Sequence, residues 1–262
     1  MKKKFLYWIM GVVMVCGANI LTAYSNDDSD GPDNPGYQGK PLVILDTDLG
    51  SSTDDLFSLE ILCRYDEQGL CKLLGVVVDR EGEDCAACAD VMNTYFGHGD
   101  VPIGLVRQKV KCIYVMGGVF GEAAEPDYNF SQGIVFSKKF FELWPKDVDI
   151  IFSPAEVGDG IEYKPEQVIA DIDWTDVHPI KQVYMKCDCD TGQKMWDPMA
   201  VFNAVEGDAL FTLSDRGYVT LTEAAQTIFH HDATGCCRYQ YPRTLDWNAQ
   251  MLEKIRQINM IH

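Results

Sequence analysis

Residues 41–62, PLVILDTDLGSSTDDLFSLEIL, decide the fold of this chain. The run at 42–45 is apolar with a β-branched centre, which predicts a buried strand. Leu56, Leu59 and Leu62 then repeat at helical spacing. Four carboxylates lie between these two segments: Asp46, Asp48, Asp54 and Asp55. The stretch therefore predicts a strand, an acidic loop and a helix.

The acidic loop predicts a cation site. In an open α/β sheet, a loop of this kind lies at the carboxyl end of a strand, where ligands bind. Crowded carboxylates repel one another unless a cation joins them, and an all-oxygen cluster suits Ca²⁺ or Mg²⁺. The alternative is that Asp54 and Asp55 only stabilise the first turn of the helix through its dipole. That alternative does not explain Asp46 and Asp48, which end an apolar strand where carboxylates are costly.

Composition sets the class of protein. The chain has 262 residues, of which 47% are hydrophobic and 24% are charged, as expected for one globular domain. The formal net charge is −18 and no basic stripe is present, which argues against nucleic-acid binding. We expect a small-molecule ligand, and composition leaves a homo-oligomer open.

The N-terminus predicts export. Three lysines precede an apolar run, so 1–23 is predicted to be a signal peptide or lipoprotein signal. The polar segment 24–40 is predicted to be a disordered linker, and 41–262 a single domain. Three alternatives remain open: lipid attachment at Cys16, cleavage after Ala23, and an uncleaved anchor. The protein is thus expected to be periplasmic or a membrane-anchored lipoprotein, with no other membrane contact.

Ten cysteines raise the question of a zinc site or disulfides. No His stands at finger spacing from the cysteine pairs, and Cys85 and Cys88 fall in a helix-like run. We therefore favour buried thiols or an occasional disulfide over a metal role.

The remaining chain alternates strand-like and helix-like runs, which predicts an open, mostly parallel, Rossmann-like α/β sheet flanked by helices. Predicted strands cover 42–45, 73–78, 101–106, 112–116, 148–153 and 217–221. Predicted helices cover 85–96, 133–143, part of 163–173, 199–205 and 245–258. The last helix has a predicted core face of Leu245, Met251, Leu252, Ile255 and Ile258. The link at 107–111 is too short for a parallel crossover, so either the two strands form an antiparallel hairpin or one βα unit is missing. No Gly, Asn or Asp marks a tight turn there, which favours the missing unit.

A second acidic position opens the helix at 199–205. The sequence Trp196-Asp197-Pro198 is typical of a helix start, with Asp as N-cap and Pro in the first helical position. A capping role alone is therefore one interpretation of Asp197, and a site role is the other.

Together these motifs resemble the inosine-uridine-preferring nucleoside hydrolases, in the exported branch whose first motif has the form DTDxGxxxDD. The matching segments are VILDTDLGSSTDDLFSLE, LLGVVVD, NTYFGHGDVPIGLV, KCIYVMGGVF, DYNFSQGIVFSKKF, IIFSPAEVG and MWDPMAVFNAVEGD. They span about 42–258. The resemblance implies a nucleoside hydrolase-like fold and calcium-dependent hydrolysis of the N-glycosidic bond of ribonucleosides, as in nucleoside salvage.

The resemblance also implies roles for single residues. Asp48 would be the general base and a Ca²⁺ ligand, with Asp55 and Asp197 as further ligands. Asp46 would support the cluster. The substrate-binding residues would be Asp54, Asn129, Asp127 and Trp196.

Departures from the family pattern predict that turnover is weakened or lost. The missing βα unit carries, in the family, a backbone carbonyl that helps to hold Ca²⁺. Trp196 stands where many relatives have a catalytic His, and Asp127 stands where Glu is usual. The Asp79-Arg80 pair and Ser52 also replace more common residues near the metal.

Three other functions are weighed against hydrolysis. The first is a non-catalytic exported protein that binds a nucleoside or sugar. The second is a phosphotransfer enzyme, because Asp46-Thr47-Asp48 superficially resembles a haloacid-dehalogenase-type motif, although Gly50 does not fit it. The third is a non-functional remnant of an internal deletion.

Overall fold

A computed structural model describes residues 19–23, 40–49, 53–78, 83–103, 112–121, 125–186 and 192–261. Eleven strands are described: β1 Asn19–Ala23, β2 Leu42–Thr47, β3 Lys72–Val78, β4 Cys112–Met116, β5 Asp149–Ser153, β6 Glu162–Tyr163, β7 Gln193–Lys194, β8 Phe211–Leu213, β9 Gly217–Leu221, β10 Thr227–His231 and β11 Cys237–Pro242.

Nine α-helices are described within the same ranges: α1 Asp54–Glu67, α2 Glu83–Tyr95, α3 Tyr128–Ser131, α4 Ile134–Leu143, α5 Ala155–Gly158, α6 Pro165–Asp171, α7 Pro179–Lys186, α8 Trp196–Glu206 and α9 Trp247–Asn259. A short 3₁₀ turn, Gly207–Ala209, follows α8. None of these helices combines the length and the apolar composition that a membrane crossing requires.

A mixed sheet forms the centre of the molecule. Its strand order is β10-β9-β11-β5-β4-β1-β2-β3, with β8 paired to β11. The pairs β2–β3, β4–β5 and β5–β11 are parallel, whereas β9 pairs antiparallel with both β10 and β11. Helices flank the sheet, which confirms the predicted α/β class.

The strand β1 separates the two parallel parts of the sheet. It pairs antiparallel with β2 on one side and with β4 on the other. Since both neighbours run opposite to β1, β2 and β4 point the same way, and their carboxyl ends share one edge. We call this edge the rim. The strand lies within 1–23, the range predicted as the export signal.

The motif at 41–62 is the centre of the core. Val43 and Leu45 of β2 are fully buried, and α1 is buried from Asp54 to Asp66. A helix that is covered on all sides must have neighbours on several faces. α1 packs against α2, β3, α8 and α9. The described residues of the acidic loop, Asp48, Leu49 and Thr53, thus lie between two buried elements.

Several predicted elements are confirmed within a few residues, namely those at 73–78, 85–96, 112–116, 133–143, 148–153, 199–205 and 217–221. The predicted strand at 101–106 is different. In its described part, 101–103, it makes one parallel bridge between Ile103 and Val76. The short link at 107–111, where a βα unit is predicted to be missing, lies outside the described residues.

The predicted core face of the last helix was wrong at one position. Leu245 is fully exposed because α9 starts only at Trp247. The buried face consists instead of Trp247, Met251, Ile255, Ile258 and Asn259.

Candidate functional site

The rim brings together the ends of β2 and the starts of α1 and α8. Asp46 and Thr47 end β2, and Asp48 follows directly. After the undescribed residues 50–52, α1 begins at Asp54. α8 packs against α1 and carries Asp197 in its first turn. The two helices therefore direct their N-termini toward the same acidic loop, where their dipoles favour negative charge.

Three carboxylates meet at this point. Asp54, Asp55 and Asp197 each have a carboxylate oxygen within 4.8 Å of the others. Their exposed fractions are 1%, 0% and 4%. Within the described ranges this is the one group of acidic, histidine or cysteine side chains with metal-ligand spacing. We call it the rim cluster.

Asp55 is the most enclosed member of the rim cluster. The hydroxyl of Thr47 donates to its Oδ1 at 2.5 Å. No N–H or hydroxyl group among the described residues donates to its Oδ2. Burial raises the pKa of the Asp55 carboxyl well above its usual range, and the charges of Asp54 and Asp48 raise it further, against the lowering effect of hydrogen bonds with Thr47 and Asp197.

A hard cation fits this arrangement. The candidate metal ligands are all carboxylate oxygens, which suits Ca²⁺ or Mg²⁺ better than a thiophilic metal. Buried like charges are costly unless an opposite charge joins them, and no described residue donates a hydrogen bond to the Oδ2 atom of Asp55. Asp54, Asp55 and Asp197 are therefore able to hold a divalent ion.

Asp48 and Asp46 lie beside the rim cluster. Asp48 is half-buried and is close enough for its charge to raise the pKa of Asp55, but it is not one of the three clustered carboxylates. Asp46 is 7% exposed, and its backbone pairs in register with Val77 of β3 and Asn19 of β1. The sequence placed Asp48, rather than Asp54, among the metal ligands, and that assignment stays a prediction.

Asp197 has a different place in its helix from the one expected. α8 starts at Trp196, two residues earlier than predicted, with Met195 as its N-cap, so Asp197 does not cap it. Its backbone N–H lies 3.4 Å from Oδ2 of Asp54. The interpretation of Asp197 as a helix cap alone is therefore wrong for this structure.

Known proteins now provide a comparison. No protein-family model and no curated protein matches the sequence. Among solved structures, a plant nucleoside hydrolase is similar over 84% of this chain and 96% of its own, with 13% identity and a TM-score of 0.57. The inosine-uridine-preferring nucleoside hydrolase of Bacillus anthracis is similar over 79% and 96%, with 13% identity and a TM-score of 0.50.

This chain has a nucleoside hydrolase-like fold. Similarity at 13% identity is a likeness of architecture, and it is spread over nearly the full length of both solved structures. The fold expected from the sequence motifs is thus confirmed, whereas the exported branch stays a prediction.

Asp127 and Asn129 lie at the rim of this nucleoside hydrolase-like fold, beyond the end of β4. Asp127 is 3% exposed; its Oδ1 accepts the N–H of Phe130 at 2.7 Å and its Oδ2 accepts that of Gly118 at 2.8 Å. Gly118 has φ +88°, a conformation that favours glycine. Burial raises the pKa of the Asp127 carboxyl, although these backbone N–H groups stabilise its charge. Asn129 donates its amide to the Met116 carbonyl at 3.3 Å.

Trp196, the first residue of α8, is half-buried beside the rim cluster. Its indole N–H donates to Asp159 Oδ1 at 3.2 Å, and the Lys194 ammonium lies 5.4 Å from its ring centroid. Lys194 also pairs with Asp159 at 2.9 Å. These contacts fix the orientation of the indole directly before Asp197.

Sequence reasoning missed two polar residues near the rim cluster, Gln193 and Tyr184. The Gln193 amide lies 3.4 Å from Oδ1 of Asp54. The Thr53 hydroxyl contacts Gln193 at 3.4 Å and the Tyr184 hydroxyl at 3.2 Å. About 130 to 140 residues separate Thr53 from these partners, and no motif marks Gln193 or Tyr184. Only the folded chain brings them to the site.

The thiols form no disulfide among the described residues. Seven described cysteines are free: Cys63, Cys71, Cys85, Cys88, Cys112, Cys236 and Cys237. Burial raises the pKa of Cys88, and the charges of Cys85 and Asp55 raise it further. The buried thiols favoured from the sequence are confirmed at Cys63, Cys71 and Cys237.

Proposed function

We propose that this protein hydrolyses the N-glycosidic bond of ribonucleosides with the help of Ca²⁺. The observation that carries the proposal is the rim cluster, in which three buried carboxylates meet within 4.8 Å and Asp55 Oδ2 accepts no hydrogen bond from the part of the chain that the structure describes. Its setting in a nucleoside hydrolase-like fold directs the choice of chemistry, since two solved structures of that fold are named as nucleoside hydrolases.

The proposed metal ligands are Asp55 and Asp197, with either Asp48 or Asp54 as the third carboxylate. Asp54 lies within the same 4.8 Å group, which supports it as a ligand in addition to its proposed contact with ribose. A bound divalent cation neutralises these charges and lowers the pKa of a coordinated water. Asp46, which is buried at the end of β2, supports the loop from below.

The protein's own side chains account for the remaining chemistry. Asp48, half-buried beside Asp55, is the proposed general base that takes a proton from the attacking water. The ribosyl group gains positive charge as the glycosidic bond breaks. A dense anionic pocket stabilises that transition state more than the neutral substrate, which accelerates the reaction.

The proposed ribose-binding residues explain why we expect slow turnover. Both carboxylate oxygens of Asp127 accept backbone N–H groups, and the Asn129 amide donates to a backbone carbonyl. Each side chain therefore has fewer free hydrogen-bonding positions for a sugar. Trp196 has no acid–base group, so it contributes an aromatic surface rather than a proton.

The test is a hydrolysis assay on inosine, uridine and p-nitrophenyl riboside, with Ca²⁺ or with a chelator. We expect Ca²⁺-dependent release of ribose, and a fall in kcat of about 10²-fold or more in Asp48→Ala. Asp215→Ala, which removes an exposed acid far along the chain, is the matched control. Full turnover in Asp48→Ala would rule out Asp48 as the base. Calorimetric binding of nucleoside without product would favour the non-catalytic binding function instead.

A further inference from the structure

The strand β1 occupies an interior position in the sheet. Its five residues pair with β2 along one edge, in a register that places Asn19 opposite Asp46 and Ala23 opposite Leu42. Along the other edge, Asn19 to Thr22 pair with Val115 to Cys112 of β4. Both hydrogen-bonding edges of the strand are therefore used, whereas a loosely attached terminal strand would use one.

No other described strand joins the two parallel parts of the sheet. β2 and β3 form one part, and β4, β5 and β11 form the other; only β1 pairs with members of both. Neighbouring strands lie about 4.8 Å apart, so β2 and β4 lie about twice that distance apart with β1 between them. Removing β1 would leave that space empty. Closing the gap would require the two parallel parts of the sheet to move toward each other as rigid bodies.

The strands beside β1 cannot tolerate exposure. Val43 and Leu45 of β2 are fully buried, and Ile113 of β4 is 1% exposed. Without β1, each strand would present unpaired backbone groups beside buried apolar side chains. An open, apolar edge of this kind promotes aggregation and strand exchange.

We propose that Asn19–Ala23 is a permanent interior strand of the folded protein, so that any processing of the N-terminus takes place before Asn19. This inference separates the three alternatives drawn from the sequence. Cleavage before Cys16, or no cleavage, keeps the whole strand. Cleavage after Ala23 removes all five residues and leaves the gap between β2 and β4.

The strand also bears on the rim. Because β1 runs antiparallel to its neighbours, its first residue, Asn19, lies at their carboxyl ends, in register with Asp46. Loss of β1 would leave Asp46, two residues before Asp48, paired only with Val77 of β3. We therefore expect damage to the strand to reach the rim cluster as well as the core.

Hydrogen exchange of the full-length chain tests the strand without any substitution. The amides at 20–22 should exchange as slowly as those of Val43 and Ile113, because they share the same interior ladders. Exchange of 20–22 within seconds, while Val43 and Ile113 stay protected, would overturn the proposal.

A proline substitution gives a second test. The substitution is Leu21→Pro, at a residue that pairs with Ile44 and Ile113. Proline cannot donate a hydrogen bond to the ladder and is excluded from central strands. We expect Tm to fall by about 10 °C or more, or the chain not to fold. Gln38→Pro, in the segment between β1 and β2, is the control and should change Tm by less than about 2 °C. Equal Tm values for the two variants would contradict the proposal.

Intact mass addresses the processing site. Folded protein recovered after expression from the complete sequence should retain Asn19–Ala23, whatever its first residue is. A folded, soluble protein whose chain begins at Tyr24 would refute the inference, because the sheet would then be complete without β1.

Discussion

Two buried carboxylates in this molecule have opposite surroundings. Asp171, at the end of α6, is 5% exposed and accepts hydrogen bonds from Arg256 at 2.6 and 2.9 Å and from the Tyr163 hydroxyl at 2.8 Å. Asp55, in the first turn of α1, is fully buried, and the charges that act on it are those of Asp54 and Asp48. Among the described residues, Asp171 is paired with a cation, whereas Asp55 faces like charges.

The difference indicates which carboxylate is structural. Burial of a carboxylate is tolerated when a cation and hydrogen bonds compensate for lost hydration. At Asp171 the chain supplies both, and the pKa of the Arg256 guanidinium is raised by that carboxylate. At Asp55 the described residues supply the Thr47 hydroxyl, a hydrogen bond with Asp197 and two like charges, so we expect the compensating cation to come from solution.

The largest effect is expected when the Asp171 pair is broken. Arg256→Met leaves Asp171 buried with only the Tyr163 hydroxyl, and should reduce the free energy of unfolding by about 3 kcal/mol. The matched control is Arg216→Met, which removes an equally bidentate but exposed pair with Asp149 and should cost less than about 1 kcal/mol. Urea unfolding measures both. Equal losses would show that burial does not distinguish the two pairs.

Replacing Asp by Asn should change the free energy of unfolding in opposite directions at the two carboxylates. Asp171→Asn weakens two charge-assisted hydrogen bonds and should cost about 2 kcal/mol. Asp55→Asn keeps an acceptor for the Thr47 hydroxyl but removes one of several like charges. With a chelator present, the free energy of unfolding should therefore rise by at least about 1 kcal/mol. Thermal or urea unfolding at pH 7 checks the signs. A loss of stability in Asp55→Asn without metal would refute the contrast.

The contrast also predicts a pH dependence. Since the pKa of Asp55 is raised in the folded state, the folded protein binds a proton that the unfolded chain has released. Metal-free stability should therefore be unaffected below the ordinary Asp pKa, about 4, and fall as the pH rises from there through the raised pKa. Asp55→Asn should remove this fall relative to wild type. Matching pH profiles of the two proteins, measured in chelator, would contradict the assignment.

Asp127 is an intermediate case, because backbone N–H groups rather than a cation compensate for its burial. As the N-cap of α3, its carboxylate accepts the N–H of Phe130, and it also accepts the N–H of Gly118. Asp127→Ala should cost about 1–2 kcal/mol through the lost cap. Asp127→Asn should cost less, since an amide oxygen still accepts one N–H. If both variants were as stable as wild type and only substrate binding fell, Asp127 would act on substrate rather than on structure.

The sequence predicted the parts of the fold that depend on local patterns. The strand, acidic loop and helix at 41–62 were found because apolar periodicity and carboxylate spacing are local signals. The joint position of Asp55 and Asp197 was predicted by the family resemblance, and the structure adds Asp54 to them. Leu245 was assigned to a core face because periodicity continued past the true start of α9.

Other features had no local signal. Gln193 and Tyr184 meet Thr53 only through tertiary structure. The strand Asn19–Ala23 has the apolar composition of an export segment, and nothing in its own residues distinguishes the two. What makes it a strand is the pair of unfilled edges on β2 and β4, which lie 20 to 90 residues further along the chain.

A calcium titration followed by thermal unfolding tests the central claim most directly. Ligand that binds only the folded state raises stability by RT ln(1 + [L]/Kd), so Tm of the wild-type protein should rise steadily with Ca²⁺ concentration. Asp55→Asn and Asp197→Asn should abolish that rise. Asp171→Asn should lower Tm, but its Tm should still rise with Ca²⁺ concentration. A wild-type Tm that does not respond to Ca²⁺, or a response that survives in Asp55→Asn, would contradict the assignment of the rim cluster as a cation site.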